Sequence, residues 1–346
     1  MKKQLLMLVF VAIAAISFAQ TKNIVVEFGA TSTAYLDLPS AIAAAPNGAT
    51  VYIPGGLHTL SSNITISKQL HFRGDGFNPL TLASGMAPTI SGSQLIFTRY
   101  AHYSSFEGIN FDNQLTLQHT TADTSGYFYL IFNRCRLNAT TVSSGGNASV
   151  GNITIYMNEC VINHIECYSQ TAESVAINNS IIVGNRFYSI NQGYIKNSVI
   201  LTGMGLQGAS VYADATNNFT ISNSIFYGGA STTGTNNTIT NCLFKTGATV
   251  GLTLNTSNIQ FQDWNLIFVN VPDASYGIGD NFHLQPGCLG IAAGTDGMDL
   301  GIYGGSTPWK ENSIPASPNV YTKSVDTRNN PNGQIDVMYK VKAQSN

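Results

Sequence analysis

Two short runs of residues carry most of the side chains that could do chemistry. The first run holds His164, Glu166 and Tyr168, and the second holds Arg186 and Tyr188. Within each run these residues alternate with Ile, Cys or Phe. Because alternate residues of a β-strand point to opposite sides, we expect the polar and tyrosine side chains to share one outer face. That face would combine an imidazole, a carboxylate, a guanidinium and aromatic rings.

Two kinds of chemistry fit this face, and Tyr212 and Asp214 are expected to extend it further along the chain. In a carbohydrate groove the tyrosines would stack on sugar rings, while Glu166, Arg186 and Asp214 would make polar contacts. A lyase needs a base near the sugar C5 proton and a cation against the uronate carboxylate, and Glu166 and Arg186 are the candidates. The structural alternative makes Glu166 and Arg186 a charge-compensating pair among tyrosines that serve as exposed β-formers.

A repeat between residues 130 and 250 supplies the register of these runs. Six segments have an apolar residue three positions before a Ser or Cys, another two positions after it, and an Asn one or two positions before it. They are Phe132–Leu137, Met157–Ile162, Ile177–Ile182, Ile195–Ile200, Ile221–Phe226 and Ile239–Phe244. The Ser or Cys positions are 25, 20, 18, 26 and 18 residues apart, as in a solenoid with loops of variable length. Glu166 and Arg186 both stand six residues after the Cys or Ser of their repeat, so they are expected to align.

The residue types of the repeat have physical explanations. Asn can turn the chain because it tolerates the left-handed region, and stacked Asn amides can bond from coil to coil. A small Ser or Cys fits inside the bend, so Cys135, Cys160 and Cys242 are predicted to be buried wall residues rather than disulfide partners. Arg134 and Glu159 occupy the same repeat position and are expected to form an exposed ion pair worth at most about 1 kcal/mol.

The predicted fold is all-β, a right-handed parallel β-helix. A short helix over residues 38–46 is expected to cap the N-terminal end, and strands over 320–325 and 334–339 are expected to form a capping hairpin. Residues 1–19 have two lysines before an apolar stretch and predict a signal peptide, so the protein is expected to be exported to the periplasm, the cell surface or the medium. The predicted domains are a β-helix over 20–305, with its cap, and a C-terminal extension over 306–346.

Residues near both ends resemble the pectin-lyase-like superfamily of right-handed β-helix proteins, in particular its uncharacterised secreted members from Bacteroidota. The resemblance rests on the segments 48–56, Ile64–Lys68, Phe72–Gly74, Asp299–Gly305, Pro308–Lys310 and Val341–Gln344. It implies the fold over residues 36–346. Its functional implication is broad, because that superfamily includes lyases, glycoside hydrolases, esterases and non-catalytic adhesins.

Composition narrows the function. Only 10% of residues are charged and the net charge is −2, which argues against nucleic-acid binding, and no segment after the signal peptide predicts membrane insertion. The histidines and cysteines lack metal-ligand spacing, and Asp296 with Asp299 predicts a turn closing the final coil rather than a Ca²⁺ site, so no metal or cofactor is expected. The leading hypothesis is a non-catalytic protein with polysaccharide as its partner. A uronate lyase and a structural or adhesive solenoid are the alternatives.

Overall fold

A computed structural model of the protein describes residues 23–78, 86–117, 128–144, 153–166, 173–184, 186–188, 190, 192–202, 204–207, 217–232, 234–251, 255–313, 319–325 and 337–342. In its N-terminal half the strands are β1 (Ile24–Phe28), β2 (Thr31–Tyr35), β3 (Ala49–Ile53), β4 (Gly56–Leu60), β5 (Ile64–Ile66), β6 (Leu70–Gly74), β7 (Pro88–Gly92), β8 (Leu95–Phe97), β9 (Ser104–Glu107), β10 (Asn110–Phe111), β11 (Leu115–Leu117), β12 (Phe128–Asn133), β13 (Arg136–Ser144), β14 (Ile153–Asn158) and β15 (Val161–Glu166). A single α-helix in the described part, α1, spans Leu38–Ala44.

The remaining strands are β16 (Glu173–Asn178), β17 (Ile181–Ile182), β18 (Arg186–Tyr188), β19 (Gln192–Lys196), β20 (Val199–Ile200), β21 (Met204–Gln207), β22 (Phe219–Ser222), β23 (Ile225–Phe226), β24 (Ala230–Thr232), β25 (Thr238–Lys245), β26 (Asn255–Gln262), β27 (Phe268–Asn270), β28 (Asn281–Leu284), β29 (Asn319–Val325) and β30 (Val337–Lys342). Short 3₁₀ turns lie at Arg99–Ala101, Trp264–Leu266 and Glu311–Ser313.

The strands of successive coils pair in parallel. Within the described residues a single sheet contains 26 strands, and three columns run through it, beginning β3–β6–β9–β12, β4–β7–β10–β13 and β5–β8–β11–β13. We name them the first, second and third columns. The first continues through β14, β16, β19, β22 and β25, and the second through β15, β17, β20, β23 and β25. The third continues through β15, β18, β21 and β24. This nearly all-β arrangement is consistent with the predicted β-helix.

The turn between the first and second columns is made by one left-handed residue. It directly precedes the repeat Ser or Cys and has φ between 45° and 54° in all six repeats. Four of these residues are Asn, as predicted, whereas the first two repeats use Arg134 and Glu159. A side chain without the local hydrogen bonding of Asn pays about 1–2 kcal/mol for this conformation. The two charged residues therefore need a compensating contact.

The Asn two positions before the Ser or Cys forms the predicted amide stack. Asn158 Nδ2 donates to Asn133 Oδ1 at 2.9 Å, and Asn178 Nδ2 donates to Asn158 Oδ1 at 3.1 Å. The Ser hydroxyl adds a second connection, because Ser180 Oγ accepts from the backbone N–H of Cys160 at 3.0 Å and donates to the carbonyl of Asn178 at 2.7 Å. Each Asn and Ser in these contacts thus joins one coil to another.

The cysteines of the repeat are buried and unpaired. Cys135, Cys160 and Cys242 are free thiols without measurable exposure, which confirms their prediction as wall residues. They lie in an interior whose largest side chains stack along the axis. The rings of Phe72, Phe106 and Phe132 in the first column have centroids 4.8 and 4.9 Å apart. Burial of such apolar surface is the main stabilising term of the coil.

The prediction of an exposed Arg134–Glu159 pair is wrong, because both side chains are buried. Arg134 Nε and Nη2 lie 3.1 and 3.2 Å from the two carboxylate oxygens of Glu159. The backbone N–H of Lys310 donates to Glu159 Oε2 at 2.8 Å. Glu107 lies 3.9 Å from Arg134 Nη1 and also pairs with Arg73, so charges alternate along the wall. The pair is buried because a distant part of the chain covers it.

That cover is residues 264–313, which we name the return segment. It starts with Trp264 against Tyr227, at a ring centroid distance of 4.6 Å, and ends where Ser313 Oγ accepts from the backbone N–H of Phe77 at 3.0 Å. Its apolar residues pack on outward-facing side chains of the second column. These are Val161, Ile181, Val199, Ile225 and Leu243, all 0–2% exposed. The segment therefore lies along the outside of the coil.

The Asn residues with a left-handed backbone conformation hold the return segment against the coil through hydrogen bonds. Asn179 Nδ2 donates to the carbonyls of Ile302 at 2.9 Å and Gly304 at 2.8 Å, and Asn241 Nδ2 donates to the carbonyl of Ala293 at 2.7 Å. Asn223 Oδ1 accepts from the backbone N–H of Thr295 at 3.2 Å. The residues that turn the coil thus also satisfy the backbone of an irregular segment.

The turn around Asp296 and Asp299 does not close the final coil, contrary to the prediction. It lies beside the coil that contains Asn223, because the return segment runs back past it. Asp296 Oδ1 accepts from the backbone N–H of Met298 at 3.1 Å, and Asp299 Oδ1 accepts from that of Ala292 at 2.8 Å. Both carboxylates therefore organise the backbone of the turn itself.

Helix α1 and the strand pair β29–β30 agree with the predicted elements near the two ends of the chain. Asp37 Oδ1 caps α1 by accepting from the backbone N–H of Ser40 at 2.8 Å, and Leu38, Ala41 and Ile42 are buried in the main core. Strands β29 and β30 pair antiparallel, and residues 326–336 between them lie outside the described residues. No helix in the described part of the chain is long and apolar enough to cross a membrane.

Candidate functional site

The predicted site residues fall on the third column or outside the described residues. His164 and Glu166 are in β15, and Arg186 and Tyr188 are in β18, where the structure describes the backbone. Tyr168, Tyr212 and Asp214 lie outside the described residues. Ile165, between His164 and Glu166, is fully buried, as the alternation predicted.

The register differs from the predicted one by two residues. Glu166 lies opposite Tyr188, not Arg186, and Ile165 lies opposite Phe187. The reason is loop length, since Ile165 is five residues after Cys160 whereas Phe187 is seven residues after Ser180. Arg186 instead lies opposite Gly205 of the next coil. Because the shift is an even number of residues, it preserves the parity on which the common face was predicted.

A different aromatic surface is fully described on the outer side of the first column. Tyr103 directly precedes β9, Tyr129 is in β12 and Tyr156 is in β14, so they belong to successive coils. The ring centroids are 5.3 Å apart for Tyr103 and Tyr129, and 5.9 Å apart for Tyr129 and Tyr156. Tyr194 follows two coils later, in register with Tyr156 through Ala176. We name these four residues the tyrosine track.

The side chains of the track are partly exposed to solvent. Tyr103 is 49% exposed, and the other three members are partly exposed. Tyr103 also has φ of +62°, a rare conformation for a bulky side chain, and its backbone N–H donates to the carbonyl of Tyr129 at 2.9 Å. A strained backbone held in place by its surroundings is more frequent at functional positions than elsewhere. The strain here presents an aromatic ring at the surface.

His102 lies among the rings at one end of the track. Its ring centroid is 3.9 Å from that of Tyr103 and 5.2 Å from that of Tyr129. His102 Nδ1 accepts from the backbone N–H of Tyr129 at 3.1 Å, which assigns the proton of the neutral ring to Nε2. Burial, together with the charge of Arg99, lowers the pKa of His102. The imidazole is therefore a neutral donor at ordinary pH.

The other end of the track carries a positive charge. Lys196 Nζ lies 4.7 Å from the centroid of the Tyr194 ring, within the range of a cation–π contact. Taken together, the described groups of the track are aromatic faces, hydroxyls, one imidazole N–H and one ammonium. These groups can stack on a ring and donate or accept hydrogen bonds. None of them is a carboxylate, whereas ordinary glycoside hydrolysis uses two.

The repeat contained a signal for this track. Tyr156 and Tyr194 both stand four residues before the Cys or Ser of their repeat, at an outward position of the first strand. The predicted site residues of these repeats all follow the Ser or Cys, so the prediction did not include Tyr156 and Tyr194. Tyr103 and Tyr129 precede the region where the repeat is regular, so only strand pairing reveals that they belong to the same surface.

A small cavity at the return segment holds two carboxylates but not the space for a sugar. Asp280 and Glu311 line this cavity of about 40 Å³. The Tyr303 hydroxyl donates to Glu311, and His283 Nε2 lies 3.3 Å from Glu311 Oε1. Burial raises the pKa of Asp280. Since ligand pockets usually exceed about 300 Å³, this cavity suits water rather than a sugar ring. Among the described residues, no three His, Cys, Asp or Glu side chains are grouped to hold a metal ion.

Comparison with known families identifies the class of protein. Residues 23–278 match the model of the family described as rhamnogalacturonase A/epimerase, pectate lyase-like, and the chain belongs to this family. The match covers most of the chain, which supports the superfamily resemblance of the sequence. A search of curated proteins found no match.

Proposed function

We propose that this protein binds polysaccharide along the tyrosine track without cleaving it. The observation that carries the proposal is the spacing of Tyr103, Tyr129 and Tyr156, whose rings follow one another at 5.3 and 5.9 Å on an outer wall. Membership of a family described by rhamnogalacturonase and pectate lyase supports a glycan as the ligand.

The geometry suits an extended chain of sugars. Tyrosine combines an apolar face with a polar tip, so it can contact the C–H face of a sugar and bond its hydroxyls. From the strand that follows Tyr103 to the strand of Tyr194 there are four strand steps, which corresponds to about 19 Å. The parallel strands hold the rings on a rigid surface, so little side-chain entropy is lost on binding.

The test compares track variants with a matched tyrosine elsewhere. Tyr156→Ala and Tyr129→Ala are each expected to weaken binding of a retained polysaccharide by about three- to tenfold in affinity electrophoresis. Tyr52→Ala is the control, because Tyr52 is 41% exposed in the same column but outside the track. Equal affinity of the wild type and both track variants would exclude the track as the binding surface.

A uronate lyase acting through Glu166 and Arg186 is the second candidate. Its support is the family membership and the position of Glu166 beside Tyr188 on adjacent strands of the third column. The discriminating assay follows the absorbance of unsaturated products from a panel of uronate polysaccharides. Turnover that is abolished by Arg186→Ala would establish the lyase. A folded protein that neither turns over nor binds any glycan would instead favour a structural or adhesive solenoid.

We further propose the finer features of architecture and location. The coil is right-handed, helix α1 caps one end, and the β29–β30 hairpin caps the other. Residues 1–19 direct export, and the β-helix domain extends from residue 20 to 305. The burial of Leu38, Ala41 and Ile42 in the main core supports the role of α1. Mass spectrometry of the exported protein should find an N-terminus at or near Gln20.

A further inference from the structure

We infer that a cavity between the second column and the return segment is a binding site for a single six-membered ring that carries a carboxylate. The cavity has a volume of about 310 Å³ and is lined by Arg136, Val161, Asn163, Val183, Ala274 and Tyr276, among others. It lies on a different strand column from the tyrosine track. The inference therefore goes beyond the proposed polysaccharide binding and does not depend on it.

The cavity lies where the outward residues of the second column change from polar to apolar. Along this column the residues in register are Thr89, Asn110 and Arg136, followed by Val161 and Ile181. The return segment covers the apolar part, from Val161 onward. Arg136 is the last polar residue before that cover. The cavity thus lies at the edge of the cover, with a charged group on one side and apolar side chains on the other.

The lining selects an anion. Among the described residues of the cavity wall, Arg136 is the charged side chain, and none is Asp or Glu. Its guanidinium carbon lies 5.5 Å from the centroid of the Tyr276 ring, a contact that orients the planar group. A guanidinium can bind a carboxylate through two parallel hydrogen bonds, which makes carboxylate its best-matched small anion.

The remaining lining suits a ring. Tyr276 is supported from behind by Phe282, with centroids 6.3 Å apart and planes 17° from parallel. Val161 and Val183 offer an apolar surface, and Asn163 contributes an amide. Burial raises the pKa of Tyr276 to about 12, so its hydroxyl stays protonated and does not oppose an anion. A volume near 300 Å³ is at the lower end for ligand pockets and fits one ring rather than a chain.

The test is calorimetric titration of the full chain with two matched probes, D-glucuronate and D-glucose. We expect glucuronate to bind and glucose to bind at least about tenfold more weakly, because only the former offers Arg136 a carboxylate. Arg136→Gln should weaken glucuronate binding by at least about tenfold, and Arg136→Lys by less, since it keeps the charge. Tyr52→Ala should leave the titration unchanged, because Tyr52 lies outside both the cavity and the tyrosine track.

A second variant covers the case in which Arg136→Gln fails to fold. Ala274→Leu fills the cavity from the return segment and leaves the coil and Arg136 intact, so it should also abolish glucuronate binding. Equal binding of both sugars, wild-type affinity in Ala274→Leu, or absence of binding by folded wild type up to about 10 mM glucuronate would each overturn the inference. Polysaccharide retention that responds to Tyr156 alone would leave the proposed function standing.

Discussion

Glu159→Gln is predicted to destabilise the protein by about 3–4 kcal/mol, because it leaves the Arg134 guanidinium buried without its main partner. Only 8% of the Arg134 side chain and 11% of the Glu159 side chain are exposed. Removal of one partner from a buried pair costs about 3–5 kcal/mol. Glu107, 3.9 Å from Arg134, gives partial compensation and places the expected value in the lower part of that range. The amide oxygen of the variant can still accept the hydrogen bond from the Lys310 N–H. The loss of stability therefore measures the removal of the negative charge.

Equilibrium urea unfolding of the purified protein measures this loss. Glu27→Gln is the control, since Glu27 accepts an exposed hydrogen bond from Tyr52 and its replacement should cost less than about 1 kcal/mol. A double replacement, Arg134→Met with Glu159→Gln, should recover part of the stability, because it removes the unpaired buried charge and keeps an amide oxygen for the Lys310 N–H. If Glu159→Gln costs no more than the control, the pair is screened by solvent and the return segment does not cover it.

Three further outcomes follow from burial and hydrogen bonding. Ile225→Ala should cost about 2–5 kcal/mol in urea unfolding because it opens a cavity under the return segment, whereas Leu266→Ala, at a 49% exposed position, should stay within about 0.5 kcal/mol. Asn158→Ala should cost about 2 kcal/mol, since Asn158 both donates and accepts in the amide stack, and an unchanged midpoint would refute that role. Burial raises the pKa of Cys160 to about 12, so iodoacetamide at pH 8 should label it after denaturation but not in the native protein, and rapid native labelling would contradict its burial.

The repeat predicts the wall of the coil well, because the structure of the wall depends on residues that are close together in the sequence. The left-handed turn at Asn179 and the burial of Cys160 depend on residues within a few positions of each other. The amide stack from Asn133 to Asn178 depends only on neighbouring coils having the same motif. Such features can be read from residue types and spacing.

The cover of the wall could not be predicted in the same way. Glu159 and Lys310 are separated by about 150 residues, and no property of either residue indicates their contact. One signal was present, since the position after the Ser or Cys is apolar from Val161 to Leu243, which makes both faces of the second strand apolar. Strands buried on both faces have this pattern. It predicts a cover but not its identity.

The predicted site on β15 and β18 shows that variable loop lengths limit the prediction of strand register. Parity predicted which residues of β15 and β18 share a face, but the two additional residues before Phe187 changed which of them are neighbours. Loop lengths in a solenoid vary, so equal offsets from a motif do not ensure equal register. The tyrosine track required strand pairing because Tyr103 lies outside any regular repeat.

The most direct test of the account is the affinity of a Tyr129→Ala, Tyr156→Ala double variant for a polysaccharide that the wild type retains. Both rings lie at the centre of the track and are neighbours, so the double variant removes the middle of the surface and should bind at least about tenfold more weakly, with an unchanged unfolding midpoint. Wild-type affinity in this folded double variant, with loss of binding confined to changes at Glu166 or Arg186, would contradict the account and assign the function to the third column.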